Sequence, residues 1–192
     1  MKTAGLALLM ALSISVAFAD EPTGDVRVWE GENSWSVIHA QVPGSLFGAE
    51  CTLLWKPYLI DHALMWQWDG VALTAAFMAP APAGMSPGPM NMDTTFVVSV
   101  DGRTIINWPA GHDVALSIEG FGTTAVVASR TVAWDHNDKQ DDTQPETEAI
   151  FDILRHGRQL TIQFYGQTYV EDLRGVDSGI QQLHACQHEI GG

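Results

Sequence analysis

Two segments of this chain read as hairpins, and they limit its fold more than any other feature. Met65-Trp66-Gln67-Trp68 runs into Asp69-Gly70 and resumes as residues 71–78; residues 96–100 run into Asp101-Gly102 and resume as residues 104–108. Asp-Gly suits the positive φ angles that a tight antiparallel turn demands. Further short runs alternate apolar and polar residues or are rich in β-branched ones: 35–39, 51–55, 114–119, 124–134, 160–165 and 168–173. Residues 149–154 read as one more strand, turned into the next by Arg155-His156-Gly157-Arg158. Near the C-terminus Val176, Gly179, Ile180 and Leu183 fall at helical spacing, and Asp177 or Ser178 could cap the start, so a short helix is expected over 176–187. Many short strands and one helix predict a mainly β chain: an antiparallel β-sandwich or barrel-like single domain with a short C-terminal helix.

Hydrophobic residues make up 46% of the 192, enough apolar material for a core. The formal charge of −14 argues against a nucleic-acid partner, which needs a basic footprint, and against polybasic binding to a membrane surface.

Residues 1–19 have the three parts of a secretory signal peptide: Lys2, an apolar run over 6–16, and the small-residue cleavage site Ala17-Phe18-Ala19. The expected layout is a signal peptide over 1–19 and one exported β domain over 20–192, periplasmic or secreted, with no membrane span after cleavage. An oxidising destination makes a disulfide the default for Cys51 and Cys186, and neither residue lies in a C-x-x-C motif.

Two loops, 80–93 and 135–148, interrupt the strand pattern. The first carries Met78 at its entry and Met85, Met90 and Met92 among Pro80, Pro82, Pro87 and Pro89. Thioether sulfur is a soft ligand that selects Cu(I), so a copper site is one reading. The other is a stiff, extended loop whose methionines make adaptable apolar contacts with a protein partner. The second loop places Asp135, Asn137, Asp141 and Glu146 at offsets 1, 3, 7 and 12 of a calcium loop. Lys139 at offset 5 and Gln140 at offset 6 depart from the EF-hand, as do flanks read as strands, which leaves a non-EF calcium site or a solvated acidic loop.

Histidines and tryptophans supply further candidates. His184 and His188 lie four apart and would share a helix face, as a weak metal pair or as a polar surface pair. Trp66 and Trp68 share one strand face and are either core residues or a stacking surface for a sugar or peptide. The Gly-x-Ser-x-Gly pattern at residues 84–88 falls in the Pro-rich loop and not between a strand and a helix, so it is not read as a nucleophile elbow, and no pair of carboxylates stands out for glycoside hydrolysis.

Three stretches carry a family resemblance. They are Ser34-Trp35-Ser36-Val37 ahead of a Cys-bearing strand, Phe96-Val97-Val98-Ser99-Val100-Asp101-Gly102, and the run from Ile153-Leu154-Arg155-His156-Gly157 to Leu160-Thr161-Ile162 with Leu173-Arg174-Gly175 and Gly179-Ile180-Gln181-Gln182-Leu183 after it. Over about half the chain this resembles the invasion-associated locus B-like periplasmic proteins of Gram-negative bacteria. The two loops are additions to that pattern. The resemblance implies an exported, β-sandwich-like binding or adhesion-associated protein and brings no catalytic residues with it. The leading expectation is therefore a non-catalytic binding module with a protein partner; the alternatives are a copper-binding protein using the 80–93 loop and a small hydrolase with an unmarked site.

Overall fold

The structure is a computed structural model, described here for residues 26–41, 49–55, 62–80, 90–91, 95–108, 113–120, 123–135 and 145–191. Residues 1–19, read from the sequence as a signal peptide, and most of the 80–93 and 135–148 stretches lie outside the described residues. The fold is mainly β, with two antiparallel sheets packed as a sandwich. In chain order the strands are β1 (Val26–Glu30), β2 (Trp35–Gln41), β3 (Ala49–Trp55), β4 (Ala63–Trp68), β5 (Ala72–Pro80), β6 (Met90–Asn91), β7 (Phe96–Val100), β8 (Arg103–Trp108), β9 (Asp113–Gly120), β10 (Thr123–Trp134), β11 (Gln159–Phe164) and β12 (Gln167–Asp172). Two helices are described, α1 (Thr147–His156) between β10 and β11, and α2 (Val176–Gly191) after β12. The larger sheet runs β1-β2-β3-β4-β5-β10-β9-β6, the smaller one β12-β11-β7-β8.

Both Asp-Gly signals are turns. Asp101 and Gly102 have φ of 47° and 81°, and Val100 pairs directly with Arg103, as a two-residue hairpin requires. The Asp69 turn is wider: Trp68 pairs with Leu73, and the Asp69 carboxylate accepts the N–H groups of Val71 and Ala72 at 2.8 and 2.7 Å. A third tight turn, at Tyr165-Gly166, joins β11 to β12, with both φ angles positive.

Residues 149–154 are not a strand; they lie within α1. The buried residues Thr147, Ile150, Phe151 and Leu154 follow i, i+3, i+4, i+7, the stripe of a helix packed on one face, and this period outweighs the β-favouring Ile and Phe. α1 ends where the backbone turns extended at Gly157, and glycine is needed there because a Cβ would meet Val100 Cγ1 at 2.2 Å. The C-terminal helix forms as expected and runs on to Gly191. β1 was not anticipated; its five residues show no clean alternation and are ordered by pairing with β2.

One core fills the space between the sheets. Trp35, Leu53, Leu64, Trp66 and Phe77 from the large sheet meet Phe96, Val98, Ile162 and Phe164 from the small one. Phe77 packs edge-on to Phe164 at 5.6 Å, and Phe96 stacks on Trp108 at 4.6 Å. α2 covers β2 and β3 with Val176, Gly179, Ile180, Leu183 and Cys186. The opposite face of the large sheet has a second buried cluster of Ile38, Leu54, Ala63, Met65 and Ala76, flanked by Met78.

Candidate functional site

The sequence offered four sets of candidate residues. The structure places them at different points around one locked platform. The lock is the Cys51–Cys186 disulfide, which joins residues 135 apart and ties α2 to the centre of β3. Cys51 is fully buried and Cys186 is 6% exposed. Gln187, next in α2, donates its side-chain N–H to the Trp68 carbonyl, and Arg27 of β1 reaches Glu189 at 3.3 Å. α2 is thus held along its second half to β1, β3 and β4.

Trp66 and Trp68 do share one face, as the period of two requires, but that face is the core. Their exposures are 0% and 8%, and Trp35, Trp55 and Trp108 are buried too. These indoles offer no stacking surface for a sugar or peptide. Closing a sandwich takes large apolar volume, and the tryptophans supply it.

Met78 packs against the outer cluster of the large sheet, while Met90 lies in β6 at the far end of that sheet. β10 and β9 stand between β5 and β6, so the backbones at Met78 and Met90 are about 14 Å apart at ~4.8 Å per strand. Met78 is a packing residue rather than a neighbour of Met90. Met85 and Met92 lie outside the described residues. The 80–93 loop is nonetheless anchored at two points in one sheet: Pro80 closes β5 opposite Ala125, and Met90 pairs with Ala115.

The second loop is closed at its base. Trp134 donates its N–H to the Pro145 carbonyl at 3.0 Å, Trp134 and Glu146 form a parallel bridge, and Asp135 donates its N–H to the Val71 carbonyl at 2.7 Å. The bridge sets Glu146 opposite Trp134, the chain neighbour of Asp135, while Asn137 and Asp141 lie outside the described residues. The downstream flank is a helix, because Glu146 directly precedes α1.

His184 and His188 sit one turn apart on α2, but His184 faces α1. Its Nε2 lies 3.1 Å from Glu148 Oε1 and 3.2 Å from an Arg155 guanidinium nitrogen. Arg155 also reaches Glu148 and Asp177, each at 3.5 Å. The imidazole sits edge-on to Trp68 at 4.9 Å and to Phe151 at 5.6 Å. Burial holds its pKa below the ordinary 6.5; Arg155 and His188 push the same way, and Glu148 pulls against them. In this structure the ring belongs to a helix–helix ion cluster, not to a pair with His188.

Sequence reasoning passed over one buried pair. His62, at the entry to β4, hydrogen-bonds through Nε2 to Glu171 of β12, and so links the two sheets. Glu171 is 6% exposed. The imidazole packs among Tyr169, Trp55 and Phe77, with ring centroids at 4.4, 5.4 and 5.9 Å. The partners are 109 positions apart, and nothing local in the sequence signals the contact. Among the described residues no group of three or more His, Cys, Asp or Glu side chains is arranged to hold a metal.

Comparison with family models, with characterised proteins and with solved structures finds no match. The family resemblance therefore rests on the motifs alone.

Proposed function

We propose that this chain is an exported, non-catalytic binding module that presents its 80–93 loop to a protein partner from a disulfide-locked β-sandwich. The observation that carries this reading is the anchoring of that loop. It leaves the large sheet at Pro80 in β5 and returns to it at Met90-Asn91 in β6. A connection this long in a compact β domain is commonly functional, and its prolines reduce the entropy lost on binding. The methionines add apolar contact that adapts to a partner's shape. Export to the periplasm or beyond fits the signal-peptide pattern and the disulfide. No helix among the described residues is long and apolar enough to cross a membrane. Envelope or host interaction is the role to which the locus B-like motifs point.

The test replaces residues 81–89 with a short Gly-Ser bridge and leaves β6 in place. The variant should fold with an unchanged circular dichroism spectrum and lose the partners that the intact protein retains from an envelope extract. An unchanged partner set would reduce the loop to a spacer. Changing Met85, Met90 and Met92 to Leu separates the copper alternative: partner binding should survive, whereas Cu(I) binding, if that were the role, would collapse.

A second reading is favoured by the base of the other loop. The Trp134–Glu146 bridge closes the backbone of that loop, as the two ends of a calcium loop must be closed. Calorimetric titration with Ca²⁺ decides it: heat of binding that is lost in Asp141→Asn supports a calcium site, and no heat at millimolar Ca²⁺ removes it.

A further inference from the structure

Four strands end the two sheets: β1 and β6 on the large one, β12 and β8 on the small one. An edge strand presents unpaired N–H and C=O groups, and such edges are usually blunted by charge, proline, a bulge or shortness. Three of these four are blunted. β6 has two residues. β8 carries Ile105 as an extra residue where its register with β7 shifts. β1 presents the exposed charges of Arg27 and Glu30. β12 differs. It is six residues long, pairs with β11 without a register break, and holds no proline, glycine or lysine.

The direction of its backbone groups follows from the hairpin. Leu173 donates its N–H to the Arg158 carbonyl at 3.1 Å, in the register that sets Asp172 opposite Gln159 and Glu171 opposite Leu160. Bonding alternates along an antiparallel pair, so Gln167, Tyr169 and Glu171 bond to β11, while Thr168, Val170 and Asp172 turn their N–H and C=O groups outward. The side chains of those three residues are exposed, and Val170, at 53%, is the most exposed large apolar residue among those described. We propose that β12 is a self-association edge: two copies of this chain pair antiparallel through it, about a two-fold axis at Val170, and join their small sheets into one.

A second copy fits this edge in sequence and in charge. With the axis at Val170, that residue meets its own counterpart, and Thr168 of one copy lies opposite Asp172 of the other. The valines bury apolar surface, the threonine hydroxyl can donate to the carboxylate, and all three outward backbone positions find partners. The net charge of −14 opposes association wherever acids are left unanswered. Here both acids are answered within each copy. The Asp172 carboxylate accepts the Arg174 backbone N–H at 2.8 Å and pairs with the Arg174 guanidinium at 2.5 Å, and Glu171 turns inward to His62. One strand per copy buries less than the ~1,600 Å² of a standard interface, so the dimer is weak and depends on concentration. The edge is separate from the 80–93 loop, and its failure would leave the loop reading as it stands.

The experiment uses the disulfide-bonded chain as the cell produces it. Sedimentation equilibrium from about 1 μM to about 500 μM, the range suited to a weak interface, is combined with amide exchange at both extremes. The mass should rise toward that of a dimer. The amides of Thr168, Val170 and Asp172 should gain several-fold protection as it does, while those of Tyr169 and Glu171, already bonded to β11, stay as they are. Val170→Lys sets like charges together at the axis, and Val170→Pro removes an N–H that β11 does not use. Each should leave a monomer at every concentration, whereas Val28→Lys, at an exposed position of β1, should still dimerise. A chain that stays monomeric throughout overturns the proposal, even if another protein occupies the edge. So does a dimer that survives both Val170 variants, or one that Val28→Lys abolishes. Should the Val170 variants not fold, the exchange pattern of the unaltered protein decides alone. Protection gained with concentration at Thr168, Val170 and Asp172 supports the pairing; protection gained elsewhere or nowhere overturns it.

Discussion

Two glycines show how one residue type serves opposite ends. Gly179 lies inside α2, where glycine costs about 1 kcal/mol relative to alanine, yet a Cβ there would meet Leu53 Cδ1 at 2.6 Å. Close approach of α2 to β3 requires the missing side chain. Gly179→Val should therefore lower stability by roughly 1–3 kcal/mol, read as a lower urea midpoint with an unchanged slope. Gly166 has open space around it and a φ of +70°. Gly166→Asn should cost well under ~1 kcal/mol, because asparagine tolerates that region. Equal losses at the two sites would refute the packing argument. At the same scale, His184 makes stability depend on pH. Its folded pKa lies below the unfolded 6.5, so its contribution is complete above that value and drains away as pH falls from 6.5 toward the folded value. Urea unfolding at about pH 7.5 and about pH 5.5 should show a loss that shrinks in His184→Gln.

The turn between β7 and β8 does more than reverse the chain. The Asp101 carboxylate accepts the backbone N–H groups of Arg158 and Gln159, each at 3.1 Å, and so fixes the start of β11 beside the hairpin. Asp101→Ala removes two hydrogen bonds to a charged group and should cost about 2–4 kcal/mol, with the loss centred on the small sheet in hydrogen exchange. A loss spread evenly over both sheets would count against this role. The Asp-Gly pair was legible as a turn, whereas its reach across 57 positions was not. α1 teaches the same lesson in reverse. Its i, i+3, i+4, i+7 stripe was present at Thr147, Ile150, Phe151 and Leu154, but a short β-favouring run masked it. Pairing signals within a hairpin are local; the choice between a buried strand and a half-buried helix depends on what lies opposite.

For the molecule as a whole, the disulfide is the largest single tie between the helical layer and the large sheet. Closing a loop of this length contributes up to ~4–5 kcal/mol in the chain-entropy model. Denatured protein should expose no reactive thiol until a reductant is added, and two labelled thiols before reduction would contradict the bond. Cys186→Ser should lower stability by about 2–5 kcal/mol and leave partner binding through the 80–93 loop intact. The class of the fold, the places of most strands, both Asp-Gly turns, the C-terminal helix and the pairing of the two cysteines were legible in the residues alone. These follow from short-range stereochemistry, from periodicity, and from there being only one way to pair two thiols. Which way the tryptophans face, that His62 meets Glu171 between the sheets, and that His184 turns to α1 rather than to His188 depend on the packing of the folded chain. The reason is physical: burial and pairing are properties of what is packed opposite, and residues that meet across the sandwich are far apart along the chain.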